Sequence, residues 1–143
     1  LPISVMKNQK VYLEHSNITV TDLDKAINFF KIAFPSFYVR GGDNSGREWV
    51  HLGNDYFYIA LNQATEKGGR FVKNYEKIGI NHIAFVVEDI KGVCDRLIEA
   101  GYKRDYPTEI ERFRTREYFA DDDGNEFEFI EYSSKIVSER NEF

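Results

Sequence analysis

Residues 82–101, HIAFVVEDIKGVCDRLIEAG, can be laid without a gap over residues 15–34, HSNITVTDLDKAINFFKIAF. Each copy begins with a histidine, His15 or His82, and each places an acid seven residues later, Asp22 or Asp89. The residues in between are rich in β-branched and apolar side chains, which reads as a strand. An aspartate at the end of such a strand suits a helix N-cap, because its side chain accepts from the exposed N–H groups of the first turn. Helical spacing follows in both copies. Leu23, Ala26, Ile27, Phe30 and Phe34 recur until Pro35 stops the first run; Ile90, Val93, Cys94, Leu97 and Ile98 recur until Gly101 stops the second. The spacing predicts helices over 22–34 and 89–100. His82 stands out in an otherwise apolar strand, since a buried imidazole costs free energy unless it finds a partner.

Short segments of strand character follow each helix: SFYVRGG, REWVHLG and YFYIALN in the first half, YKRDY, RTREYFA and EFEFIEY in the second. Turn signals fall at Gly41-Gly42-Asp43-Asn44 and Asp122-Asp123-Gly124-Asn125. The pattern predicts an α+β chain of two tandem βαβββ modules, 11–63 and 79–132, within one domain spanning 1–143. The connection over 64–78, rich in Lys and Arg, reads as a solvated linker.

The chain has 143 residues and is 42% hydrophobic, enough to bury a core in one compact unit. A net charge of -5 argues against nucleic acid and against a basic membrane-surface patch. The single cysteine, Cys94, cannot form an internal disulfide and has core spacing on its helix, so a reducing compartment, the cytoplasm, is expected. No apolar run is long enough for a transmembrane helix, and LPISVMKNQK is too short and polar for a signal-peptide core.

The paired modules, together with LEHSNITVTDL, NHIAFVVED and above all REYFADDDGNEFEFIEY, resemble the vicinal-oxygen-chelate superfamily of glyoxalase I, bleomycin-resistance proteins, fosfomycin-modifying enzymes and extradiol dioxygenases. The resemblance covers about residues 11–132, with Asp122 where the family usually has proline. It implies a curved mixed sheet, a partial barrel with the helices outside, and one divalent metal ion in its cavity. The implied metal ligands are His15, His82 and Glu128. Strand alternation agrees: His15 opposes Ile18 and Val20 across the first strand, and Glu128 opposes Phe127 and Phe129 on the last. Two imidazoles and a carboxylate suit Fe, and also Mn, Ni or Zn, with positions left open for a substrate.

The chain departs from glyoxalase I where that enzyme has a fourth, carboxylate ligand: here stands Ala60, or Tyr58 if the alignment slips by one alternation. The arginine that glyoxalase I uses for glutathione is replaced by Thr19. Extradiol dioxygenases and fosfomycin transferases need only the three ligands, and Tyr118, ten residues before Glu128, matches a tyrosine both carry. The polar residues that hold fosfomycin's phosphonate are replaced by Thr108, Arg112 and Arg116.

Alternation from Tyr118 puts Arg112, Arg114 and Arg116 on the cavity side if the strand is regular that far back, and Arg47, Trp49 and His51 on one face of the other module. Arginine forks would favour an anionic, partly apolar substrate, although arginines on a hairpin read equally as solvated edge charges. His51 is either an acid–base group or a structural residue. These residues predict a metal-dependent enzyme, of lyase, isomerase or dioxygenase type, acting on a small oxygenated molecule. His15, His82 and Glu128 would hold the metal, Tyr118 and His51 would serve catalysis, and Trp49, Tyr58, Arg112, Arg114 and Arg116 would contact substrate. The alternative is a bleomycin-resistance-like binding protein whose stacking surfaces are Trp49, Tyr56, Tyr58 and Tyr118. The resemblance also implies a homodimer, in which the modules pair within a chain or swap between chains.

Overall fold

The computed structural model describes residues 13–46, 48–66, 75–76 and 78–142. The first unit, within residues 1–68, runs β1 (His15–Val20), α1 (Leu23–Ala33), β2 (Tyr38–Asp43), β3 (Trp49–Gly53) and β4 (Tyr58–Gln63). Its sheet has the order β1-β4-β3-β2, with β1 parallel to β4 and the other pairs antiparallel. The second unit, within 69–143, repeats the scheme as β5 (His82–Val86), α2 (Ile90–Glu99), β6 (Glu109–Ile110), β7 (Arg114–Ala120) and β8 (Glu126–Tyr132). Its order is β5-β8-β7-β6, again with only the first pair parallel, and a one-turn helix α3 (Val137–Arg140) follows. The chain is thus an α+β protein of two tandem βαβββ modules.

Both helices begin as expected. Asp22 Oδ1 accepts from Lys25 N and Asp89 Oδ1 from Gly92 N, each at 3.1 Å, satisfying first-turn donors that lack an intrahelical partner. α1 packs on β4, and α2 on β7 and β8. The first core gathers Phe29, Phe30, Val20, Leu52, Ile59 and Leu61; the second gathers Leu97, Cys94, Phe119, Phe127 and Phe129. Alternation along each strand then sends the remaining side chains to the opposite face. On β1 the sequence HSNITV exposes His15, Asn17 and Thr19 while Val20 is buried.

Several details differ from the sequence reading. The buried face of α1 includes Phe29 and Ala33 rather than Ile27 and Phe34, because the broad aromatic pair at 29 and 30 defines the packed side. The turn expected at Gly41 comes later. β2 continues through Gly41 and Gly42, with a register shift after Val39, and Asp43 turns the chain by accepting from Ser45 N at 3.0 Å. A Cβ on Gly42 would lie 2.9 Å from Trp49 O, so only glycine lets β2 approach β3 there. Residues 102–106, read as a strand, form only an isolated bridge between Arg104 and Phe119, and the strand proper is Glu109–Ile110. Pro107 has no N–H to extend the earlier ladder. Much of the expected linker, 67–74 and 77, lies outside the described residues, as does Arg47. Among the described residues no helix is long and apolar enough to cross a membrane.

Candidate functional site

Parallel pairing of β5 with β8 sets His82 opposite Glu126 and Ala84 opposite Glu128, and antiparallel pairing sets Tyr118 of β7 opposite Glu128. The side chains of His82, Glu126, Glu128 and Tyr118 therefore share the sheet face turned away from α2. Glu128, only 5% exposed, holds its Oε2 3.1 Å from His82 Nε2. Its Oε1 accepts from the Tyr118 hydroxyl at 2.9 Å. His82 Nδ1 meets the Tyr75 hydroxyl at 2.7 Å, and that hydroxyl donates to Glu126 Oε1 at 3.0 Å.

The Tyr75 hydroxyl thus bridges His82 Nδ1 and Glu126, while Nε2, on the far side of the ring, faces a carboxylate oxygen at 3.1 Å. An imidazole nitrogen and a carboxylate oxygen brought this close are a donor pair that a borderline transition ion accepts. Burial, and then Glu128, push the Tyr118 hydroxyl well above the usual phenol range. Burial and Glu126 push Tyr75 up to about 12. Both stay proton donors near neutral pH.

Glu126 is buried as well, and it interacts with a third group. Asp105 is its neighbour, and burial followed by the Glu126 charge raises the Asp105 carboxyl above its ordinary value. The sequence marked neither Asp105 nor Tyr75. Tyr75 lies in the segment read as a linker, and no local pattern distinguishes it from a solvated tyrosine.

The three arginines part company. β7 begins at Arg114, so the alternation does not reach Arg112, which sits in the preceding turn. Arg112 is exposed, 3.6 Å from Glu142 and over the ring of Phe113. This corrects its expected place beside Arg114 and Arg116. Arg114 donates from Nε to Glu111 Oε2 at 2.9 Å, with Nη2 within ion-pair distance of the same oxygen. Arg116 pairs through Nη2 with Glu109 and Glu111, while its Nη1 lies 3.3 Å from the Tyr118 hydroxyl and 3.6 Å from Glu128 Oε1. Burial works to raise the Glu111 carboxyl, but the two guanidiniums outweigh it and hold the group below its ordinary value.

In the first unit the corresponding face carries rings. His15 stacks on Tyr58 with centroids 4.7 Å apart, Tyr58 on His51 at 4.3 Å, and His51 tilts against Trp49 at 4.7 Å. The Arg40 guanidinium lies 4.8 Å from the Tyr58 centroid. His15 Nδ1 donates to Glu14 Oε1 at 2.8 Å, so that Nε2 is the ring nitrogen outside that bond. Burial, and then the neighbouring His15 and Arg40 charges, lower the His51 pKa. Tyr56 is exposed and has no part in the stack among the ring contacts described. Ala60 pairs with Asn17 and His51, so no carboxylate occupies that register position. Glu14 was missed because it precedes the strand, where alternation does not predict its direction.

The three expected metal ligands are therefore divided: His82 and Glu128 meet in the second unit, and His15 belongs to the first. Among the described residues no three His, Cys, Asp or Glu side chains form a metal-holding group.

Known proteins share this arrangement of elements. A glyoxalase family protein from Bacillus cereus is 20% identical, with a TM-score of 0.72 over 92% of this chain and 100% of its own. The fosfomycin resistance protein FosX from Mesorhizobium loti is 21% identical, with a TM-score of 0.67 over 90% of this chain and 95% of its own. A mutant of FosX from Listeria monocytogenes, solved with Mn(II) and 1S,2S-dihydroxypropylphosphonic acid, is 20% identical, with a TM-score of 0.65 over 92% of this chain and 96% of its own. At these identities the likeness is one of fold. The sequence itself matches a family model across residues 12–129, and the chain belongs to the Glyoxalase/Bleomycin resistance protein/Dioxygenase superfamily.

Proposed function

We propose that the chain is a divalent-metal-dependent enzyme acting on a small oxygenated molecule, with His15, His82 and Glu128 as its protein ligands. The observation that carries this reading is His82 Nε2 set 3.1 Å from Glu128 Oε2, with the outer atom of each side chain held by a tyrosine. Ligating histidines are held in the same way, through the ring nitrogen that does not bind the metal. Glu14 does this for His15. The FosX structure with Mn(II) supports a divalent ion, and the donor set suits Fe, Mn, Ni or Zn. Such an ion, when bound, polarises a substrate oxygen as a Lewis acid.

The chain's own residues supply the rest. Tyr118 holds Glu128 in place and has a hydroxyl that stays protonated near neutral pH. His51, its pKa lowered, is neutral there and able to accept a proton. Trp49 would offer its ring to a substrate and Tyr58 its edge, since His15, His51 and Arg40 already lie over the Tyr58 ring. Ala60 leaves the first module without a carboxylate base, which disfavours glyoxalase-type isomerisation by about 10²–10⁴-fold and leaves lyase-type and dioxygenase-type chemistry. A cytoplasmic homodimer completes the proposal, His15 joining from the first unit of the same chain or of the partner chain.

Calorimetric titration of metal-free protein with Mn(II) and Zn(II) tests it. One ion per chain should bind, and His15→Ala and His82→Ala should each lose it. Equal affinity in wild type and His82→Ala would end the metal reading. The ring stack of the first unit would then support the second reading, a binding protein without catalysis.

A further inference from the structure

We infer that Glu111 determines specificity: it closes Arg114 and Arg116 into internal ion pairs, so that β7 offers no open guanidinium, and the site takes an oxygenated ligand without a phosphoryl or carboxylate group to be held there. The inference rests on the proposed reading of this sheet face as the ligand site. It replaces the anionic substrate that the arginines suggest from sequence alone.

An arginine recognises an oxyanion through two parallel N–H donors in a fixed fork. Arg114 Nε donates to Glu111 Oε2 at 2.9 Å, and its Nη2, at the same distance from that oxygen, is closed off from solvent. The Nη2 of Arg116 is taken by Glu109 and by the other oxygen of the same Glu111, and its Nη1 points to Tyr118 and Glu128. Its Nε has no partner among the described residues but is enclosed, without access from solvent. Three acids, Glu109, Glu111 and Glu128, thus face two arginines. Opening a fork for a ligand would leave Glu111 as an unpaired carboxylate in a partly buried place, a costly state. Glu111 sits in the turn between β6 and β7, so one residue of a short loop controls the charge that the strand displays.

The test is titration of inorganic phosphate into the full-length protein after chelation, so that any signal comes from the protein's own cations. Wild type should bind phosphate more weakly than about 1 mM. Glu111→Gln removes the charge that pairs with both arginines and should tighten phosphate binding by about tenfold or more, the gain expected of new charge-assisted bonds. Adding Arg116→Met to Glu111→Gln should cancel part of the gain. Wild type binding phosphate as tightly as Glu111→Gln would overturn the inference. Should Glu111→Gln fail to fold, Glu109→Gln relieves one of the two acids on Arg116 and should give a smaller gain; a folded Glu109→Gln with unchanged phosphate binding overturns it too. Titration of the same wild-type preparation with Mn(II) alone separates the two ideas: failure to bind Mn(II) strikes at the metal reading, whereas the phosphate comparison reads only the arginines.

Discussion

The two modules have the same element order and the same register, and they differ in what that register displays. His15 pairs with Tyr58 where His82 pairs with Glu126. Two positions on, Asn17 pairs with Ala60 where Ala84 pairs with Glu128. Across the next ladder, His51 meets Ala60 where Tyr118 meets Glu128, and Trp49 meets Asn62 where Arg116 meets Ile130. One backbone plan thus carries a column of rings in the first module and a network of carboxylates, hydroxyls and guanidiniums in the second. Rings on a sheet surface need only area and close approach. Buried polar groups need partners, so the second module recruits Tyr75, Asp105 and Glu111 from outside its strands and Glu109 from the short β6.

Breaking the second module's network should have the largest effect. His82→Ala and Glu128→Ala should each lower Mn(II) affinity by more than about a hundredfold, beyond what loss of a supporting residue costs, whereas His51→Ala in the first module should leave it nearly unchanged. Calorimetry on all three variants checks this; a His51→Ala loss equal to that of His82→Ala would mean the modules are not specialised. Tyr118→Phe should cost about tenfold in the same titration, because Glu128 Oε1 loses its donor. Tyr58→Phe should cost less, since its hydroxyl makes only a 3.3 Å bond to Glu14.

Where the modules agree, so should their energetics. Asp22→Ala and Asp89→Ala each remove one cap bond of the same length, and each should lower stability by about 1 kcal/mol in urea unfolding. A large inequality would show that one helix depends on its cap and the other on packing.

Alkaline pH should separate the modules again. Tyr75 and Tyr102 of the second module are pushed up to about 12, chiefly by burial and then by Glu126 and Asp122 respectively. A raised folded-state pKa means that the stability is complete below the unfolded value near ~10 and is lost as pH rises through about 12. Melting temperature should therefore fall across that window, with late tyrosinate absorbance, and Tyr102→Phe should soften the fall. The smallest effect is chemical: burial raises the Cys94 thiol to about 12, so a thiol reagent at neutral pH should leave the native protein unmodified and react only after unfolding.

Much of this was legible from local pattern. A histidine, an acid seven residues on, and apolar residues at helical spacing foretold β1–α1 and β5–α2, because strand alternation, capping and helical periodicity depend on neighbours within a few residues. The same alternation placed His15 and Glu128 on the faces away from the helices. It failed where regularity ended: Arg112 fell outside β7, and the strand expected near 102–106 was displaced to Glu109–Ile110.

What the tertiary structure alone decided is pairing. The parallel register of β5 on β8 brings His82 to Glu128 from 46 positions away. Tyr75 reaches the same imidazole out of a segment without periodicity, and Glu111 captures two arginines that seemed, in the sequence, open to a ligand. Backbone periodicity dictates which way a side chain points. Which charge or lone pair it meets depends on chain segments brought together only by folding, and for this sheet face those meetings determine the chemistry.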